Sequence, residues 1–308
     1  MTRCFLAVVA FLAFMSVAPP ANGNEPVYER KQDVIYGRKY GMALTMDVFT
    51  PKVKPNGAAV IVVLSGYWRS DHNMLNEEAL EVGEEFIRRG YTCFAVVHSS
   101  GPKFNIEDAI DDMNRAVRFI RYNAERFHID PDRIGITGAS SGCHLSLMVG
   151  MAGCDGRPRA RDPVDRACSN VEAVAGFFPP TDFLNYGKEG ASCEPVVKLL
   201  RAPFDFQELK LNAFVPVSED KCKKILHDIS PIYFVTPNAP PTLLIHGDRD
   251  PIVPLQQSQI IMNKLKECKI QCELIVHKGG AHGWDGIDKD LVTVCDWFDK
   301  YLVKKKTE

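Results

Sequence analysis

Seven consecutive apolar residues, Ala58 to Leu64, constrain the fold of this chain more than any other stretch. A strand with one wet face alternates polar and apolar side chains, whereas a strand that is apolar throughout has both faces covered. Tyr91–Val97, Glu172–Phe178, Pro241–His246 and Cys272–His277 read as further strands. Between and after them lie the helical patterns Asn73–Arg89, Ile106–Phe127, Leu255–Lys266 and Asp290–Val303. Strands alternating with helices of this length predict an α/β fold, a mostly parallel twisted sheet with helices on both faces. Ahead of them, Val27–Tyr40 and Met42–Phe49 predict an antiparallel hairpin at the sheet edge, turning at Gly41. From Asn185 to Ile229 the alternation lapses into prolines, charges and short apolar turns, which predicts a small cap insertion over the strand ends, residues 185–229.

The stretch Arg133–Met148 reads as a buried strand, a sharp turn and a helix opening on small residues, and it contains Gly138-x-Ser140-x-Gly142. In that arrangement a serine tops a strand-to-helix turn with its hydroxyl exposed. The glycines allow unusual backbone angles and an approach too close for a Cβ. A serine hydroxyl becomes a nucleophile when a histidine takes its proton and a carboxylate fixes that histidine's tautomer. Both occur downstream. His246-Gly247-Asp248-Arg249-Asp250-Pro251-Ile252-Val253-Pro254 begins at the end of one strand, and Gly279-Gly280-Ala281-His282-Gly283-Trp284 follows the next. Loops at the carboxyl ends of the strands are where open α/β sheets gather their catalytic groups. The candidates are Ser140 as nucleophile, with Ser141 as its rival; Asp250 as acid, with Asp248 as its rival; and His282 as base. His246 and His277 end strands and read as structural, His98 as part of a turn with Ser99 and Ser100, and Asp182 as loop support.

Composition bounds the remainder. A chain of 308 residues with a net charge of −2 suits one large α/β domain and gives no electrostatic case for nucleic acid or an anionic membrane surface. Arg3, the apolar run Phe5–Met15 and Ala21-Asn22-Gly23 predict a signal peptide over residues 1–23, a secreted or periplasmic protein, and a catalytic domain over 24–308. The run is too short to cross about 30 Å of hydrocarbon, so no stable membrane insertion is expected. Ten cysteines become nine once Cys4 leaves with the leader, and an odd number leaves at least one thiol without an internal partner. Cys93 and Cys143 read as buried. Cys154 and Cys168 flank the polar loop Asp155–Ala167, where an exported protein is expected to place a disulfide, and Cys193 with Cys222 offers a second pairing. With no paired CxxC and scattered histidines, no metal site is expected.

Taken with Asp108 and Asp112 ahead of the long helix, His128–Ile134 before the turn, Pro180-Thr181-Asp182, Ser230-Pro231 and His246–Pro254, the chain resembles the α/β-hydrolase superfamily. The resemblance is to its esterase/lipase branch, which includes hormone-sensitive-lipase-like and bacterial feruloyl or acetyl-xylan esterase-like enzymes. It runs from about Tyr40 to the C-terminus. It implies an α/β-hydrolase fold, a nucleophile at Ser140, an acid at Asp250, a base at His282 and no metal or organic cofactor. It also implies a small-molecule or carbohydrate ester as substrate. One loop departs from the family. The relatives carry His-Gly-Gly-Gly-Trp where this chain has Leu64-Ser65-Gly66-Tyr67-Trp68. A developing alkoxide needs backbone N–H donors, which any residue supplies if the loop takes the shape. Donors are therefore expected from Gly66, Tyr67 and Ser141, and pocket walls from Trp68 and Trp284. Two other readings stay open. One is a serine peptidase of the oligopeptidase-like branch, which shares His-Gly-x-x-Asp-x-x-Val-Pro; the other is a catalytically impaired binding protein on the same scaffold.

Overall fold

Along the strand Ala59–Leu64 the buried side chains divide by parity. Ala59, Ile61 and Val63 enter one hydrophobic cluster, while Val60, Val62 and Leu64 enter another on the opposite face. The computed structural model describes residues 27–74, 83–101, 103–193, 207–210 and 213–303, with backbone alone at 207–210 and 213–215. The expected signal peptide lies outside the described residues, as does most of the helix expected over Asn73–Arg89, of which residues 83–88 are helical.

Ten strands and five helices carry the described fold. The strands are β1 (Tyr28–Lys39), β2 (Met42–Pro51), β3 (Ala59–Leu64), β4 (Thr92–Val97), β5 (Ile134–Ala139), β6 (Ala173–Phe177), β7 (Gln207–Lys210), β8 (Ala213–Pro216), β9 (Thr242–Gly247) and β10 (Cys272–His277). The helices are α1 (Ile106–Tyr122), α2 (Ser141–Ala152), α3 (Glu219–Asp228), α4 (Gln256–Glu267) and α5 (Ile287–Leu302). Eight strands form one sheet in the order β1-β2-β4-β3-β5-β6-β9-β10. The six from β4 to β10 run parallel, and the β1–β2 hairpin joins antiparallel at the edge. Residues from α1, α2 and α4 cover one face, and Phe86, Ile87 and α5 cover the other. This is the α/β-hydrolase fold. From β3 the chain steps to β4 on one side, and from β5 it proceeds to β6, β9 and β10 on the other. The switch in direction therefore lies between β3 and β5, and the crevice at such a switch point is where open α/β sheets bind ligands.

The boundaries of two helices differ from the sequence reading. The helix expected to reach Phe127 stops at Tyr122, where the Asn123 side chain donates to the Phe119 carbonyl and the chain turns through His128 at a φ of 54°. The last helix begins at Ile287 rather than Asp290, directly after Gly286 in the left-handed region.

Among the described residues no disulfide pairs Cys154 with Cys168 or Cys193 with Cys222. The expected Cys154–Cys168 pairing is corrected by what each sulfur faces. Cys154 Sγ accepts from Arg118 Nη2 at 2.8 Å, and Cys168 Sγ accepts from the Asn170 N–H at 3.2 Å. Hydrogen bonds close that loop instead: Ser169 N–H to the Cys154 carbonyl, and Arg121 to the carbonyls of Cys168 and Asn170. Cys193 and Cys222 are buried in one small cluster with Ile106, Phe183, Leu226 and Ile229, packed as apolar side chains. Within the segment expected to form a cap, the described residues make the β7–β8 hairpin and α3, whose Leu226 enters that cluster.

Candidate active site

Ser140 stands between the end of β5 and the first turn of α2, at φ 53° and ψ −120°. A side-chain-bearing residue at such angles costs on the order of 1–3 kcal/mol and persists only where its surroundings over-determine it. Here they do. The Ser140 N–H donates to the Phe177 carbonyl at 2.9 Å, and its own carbonyl accepts from the His144 N–H at 2.9 Å. The glycines on either side serve close approach rather than positive φ. A Cβ on Gly138 would lie 2.6 Å from the Gly142 carbonyl carbon, and one on Gly142 would lie 2.6 Å from the Val63 carbonyl oxygen. Gly142→Ala must therefore push α2 away from β3. It is expected to cost about 1–3 kcal/mol, the usual range for overpacking, read as a lower urea midpoint at unchanged m. An unchanged midpoint would contradict this packing.

His282 and Asp250 come from the loops after β10 and β9. His282 Nε2 lies 2.9 Å from Ser140 Oγ, and His282 Nδ1 lies 2.7 Å from Asp250 Oδ2. A carboxylate only accepts, so Nδ1 carries the proton, and Nε2 of the neutral ring is left to accept from the serine hydroxyl. The Asp250 side chain is buried. Burial pushes its carboxyl up, but hydrogen bonds from His246, His282 and the Val253 N–H outweigh burial and hold it well below the usual carboxylate range. Its Oδ1 accepts from the Ile252 and Val253 N–H groups at 2.8 and 2.9 Å. The two loops are fastened to each other. Asp248 Oδ1 accepts from the Gly279 N–H at 2.6 Å, and the Arg249 N–H donates to the Gly280 carbonyl at 2.8 Å. Asp248 thus holds the loop. Ser141, the other serine candidate, is buried, and its hydroxyl faces the carbonyl and hydroxyl oxygens of Ser65, each at 3.0 Å, away from His282. Asp182 accepts from Leu184, Asn185 and Tyr233, as loop support requires.

The loop after β3 is a two-residue hairpin. The Gly66 and Arg69 N–H groups each donate to the other's carbonyl at 2.9 Å, and Tyr67 and Trp68 between them have φ of 52° and 55°. Positive φ at both central residues defines a type I′ turn, for which Asn-Gly is the usual choice. Gly66 is therefore corrected as a donor, because its N–H is already committed to Arg69. The Tyr67 N–H makes no hydrogen bond among the described residues. Burial, then the Asp250 charge, raises the Tyr67 hydroxyl pKa, so this exposed side chain lies in the field of the acid. The expected pocket walls are placed differently. Trp68 packs against His144 and Phe183, and its indole N–H donates to His144 Nδ1 at 2.9 Å. Trp284 stacks on His277 and donates to Asp290 Oδ2 at 2.8 Å. Both indole N–H groups are thus engaged, which leaves only ring surface to a ligand.

Three residues at this site, Phe178, Tyr186 and His144, escape a reading of sequence alone, and a fourth, His246, reads there only as a structural strand end. Phe178, at φ 35°, lays its ring 4.4 Å from that of His282. His246 stands behind the acid, with Nε2 2.9 Å from the Val253 carbonyl and 3.4 Å from Asp250 Oδ2. Tyr186 donates to the Ile252 carbonyl at 2.9 Å from the inserted segment. His144 joins three elements: it accepts from Trp68 and donates through Nε2 to the Ile229 carbonyl at 2.7 Å, and burial pushes its imidazole down to about 4, so it is neutral. Among the described residues no cluster of His, Cys, Asp and Glu suits a metal ion, and no helix is long and apolar enough to cross a membrane.

At the switch point of this sheet, then, a strained serine is hydrogen-bonded to a histidine that is in turn bonded to a buried carboxylate. The chain belongs to the BD-FAE family, whose model matches residues 46–265. It is similar to Esterase LipC of Mycobacterium tuberculosis, with 28% identity over 85% of this chain and 61% of LipC. It is also similar to the probable carboxylic ester hydrolase LipM of the same organism, with 26% identity over 79% of this chain and 53% of LipM. The chain thus spans 53–61% of the length of these two curated relatives. Among solved structures, a truncated carbohydrate esterase from gut microbiota matches with a TM-score of 0.74 and 25% identity, over 91% of this chain and 99% of that one. An esterase of Thermogutta terrifontis matches with a TM-score of 0.69 at 20% identity, over 92% and 96% of the two chains.

Proposed function

We propose that this protein is a serine carboxylester hydrolase. The observation that carries the proposal is the continuous chain of hydrogen bonds from Ser140 Oγ through His282 to Asp250. In this reading Ser140 attacks an ester carbonyl while His282 Nε2 takes its proton, and Asp250 stabilises the imidazolium that forms. His282 then gives that proton to the departing alcohol, leaving an acyl group on Ser140. Water, deprotonated by the same nitrogen, releases the acid and restores the serine. The Tyr67 and Ser141 N–H groups donate to the alkoxide. No step calls for a metal or organic cofactor. Curated relatives named as esterases and a structural neighbour titled a carbohydrate esterase support small acyl or carbohydrate esters as the substrate class. The leader pattern of residues 1–23 supports export to a secreted or periplasmic location, with 185–229 as a cap over the site.

The test is hydrolysis of p-nitrophenyl acetate by the purified chain, together with labelling by an aryl fluorophosphonate. Turnover with one phosphonyl group per chain, mapped to Ser140, is the expected result. Binding of esters with neither turnover nor labelling would instead favour the binding-protein reading.

A further inference from the structure

The Gly66–Arg69 turn carries two bulky residues, Tyr67 and Trp68, at positive φ, and the structure shows what holds it in place. Ser65, the residue just before it, is buried and lies 3.0 Å from Ser141 Oγ and 2.9 Å from His98 Nε2. His98, at the end of β4, is buried as well, with Nδ1 2.8 Å from the Ser99 carbonyl. A carbonyl only accepts, so His98 Nδ1 carries a proton, and in the neutral ring Nε2 must accept. Burial lowers the His98 pKa; the Ser99 carbonyl and Asp112 raise it, and Lys39 lowers it. The neutral ring is thus the form present at neutral pH. The Ser65 hydroxyl then donates to His98, and the one proton of the Ser141 hydroxyl goes to Ser65, whose carbonyl and hydroxyl oxygens both lie 3.0 Å from Ser141 Oγ. The chain of donors runs one way, from Ser141 through Ser65 to His98, and it ends on the Ser99 carbonyl. Ser99 is in turn fixed by Asp112, which accepts from its N–H at 2.9 Å and from its hydroxyl. At the far side of the turn, Trp68 Nε1 bonds His144, four residues beyond Ser140.

We propose that Ser65, oriented by His98, is a positioning residue that locks the Gly66–Arg69 turn to the start of α2 and so fixes the spacing of the Tyr67 and Ser141 N–H donors. Trp68 and His144 make the second fastening point. Glycines let a loop adopt an oxyanion-binding shape without steric cost. A turn with Tyr67 and Trp68 at positive φ holds that shape only if it is fastened at both ends. The Ser65 hydroxyl touches no reacting atom, so its effect passes through the two backbone donors. This inference rests on the esterase reading above.

Ser65→Ala is expected to lower kcat for p-nitrophenyl acetate by about 10- to 100-fold, short of the 100- to 1,000-fold that follows outright removal of a donor. KM should stay unchanged, because the donors act on the transition state. Affinity for an aryl trifluoromethyl ketone, which adds to the serine as an oxyanion, should fall by the same factor as kcat. His98→Asn, whose amide is too short to reach Ser65, should match Ser65→Ala. His98→Gln, whose amide oxygen reaches the Nε2 position, should restore activity to within about threefold of wild type, a rescue expected of a positioning bond. Ser141→Ala keeps its backbone donor and removes only the link to Ser65; it provides a second test should Ser65→Ala fold poorly, and the double variant should fall no further than either single one. The proposal is overturned if Ser65→Ala and Ser141→Ala keep kcat and ketone affinity within twofold of wild type, whatever their stability. Wild-type turnover in that case leaves the esterase reading standing. A wild type that hydrolyses no ester overturns both.

Discussion

Ser140→Ala is expected to lower kcat for p-nitrophenyl acetate by about 10⁶-fold, the loss seen when the nucleophile of such a triad is removed. The structure holds no substitute. The Ser140 hydroxyl occupies the position 2.9 Å from His282 Nε2, while the neighbouring Ser141 hydroxyl faces the carbonyl and hydroxyl oxygens of Ser65. Alanine removes one hydroxyl whose hydrogen-bond partner is His282, so the far-ultraviolet circular dichroism and Tm should match wild type. Fluorophosphonate labelling should vanish with the activity. Activity within 100-fold of wild type would mean that the acyl group is carried elsewhere or that no acyl-enzyme forms.

Asp250→Asn is expected to lower kcat by about 10⁴-fold with little change in KM. The orientation of the new amide is forced. The Oδ1 position accepts from the Ile252 and Val253 N–H groups, so the amide oxygen must remain there. The amide NH2 then faces His282 Nδ1 from the Oδ2 position, 2.7 Å away. A donor at that point requires an unprotonated Nδ1, so the proton moves to Nε2, and His282 can no longer take one from Ser140. His246 loses its secondary acceptor at 3.4 Å but keeps the Val253 carbonyl, so the loop should hold its shape. Rates of p-nitrophenyl acetate hydrolysis and of serine labelling should fall together. A decrease of less than tenfold would show that the acid does not set the tautomer.

The parts of this site legible in the sequence are those whose requirements are local. Gly138 and Gly142 stand within two residues of Ser140 because β5 and α2 meet there too closely for a Cβ, and a local steric rule leaves a local signature. Asp250 and His282 are far apart in sequence, yet each follows a strand that ends on the same edge of a parallel sheet. Strand order alone therefore brings their loops together. The helix ending at Tyr122 rather than Phe127 is a local event that periodicity does not record: the Asn123 side chain joins its own N–H on the Phe119 carbonyl, and the chain then turns through His128 at positive φ. The disulfide expected at Cys154 and Cys168 followed from export chemistry and loop closure, and spacing gives no warning that Arg118 and Asn170 engage the two sulfurs.

By itself, then, the sequence determined the architecture. Short continuous apolar runs alternating with longer helical patterns pack as a sheet covered on both faces, and a glycine-flanked serine between one such run and a helix marks a sharp strand-to-helix turn. The tertiary structure alone decided the loop after β3. Ser65 meets Ser141 and Trp68 meets His144 across 76 residues of chain, Ser65 meets His98 across 33, and His144 meets Ile229 across 85. A hydroxyl or an indole N–H has the same local propensities whether its partner is water or a buried imidazole. What it holds in place is set by the elements that the folded sheet brings beside it.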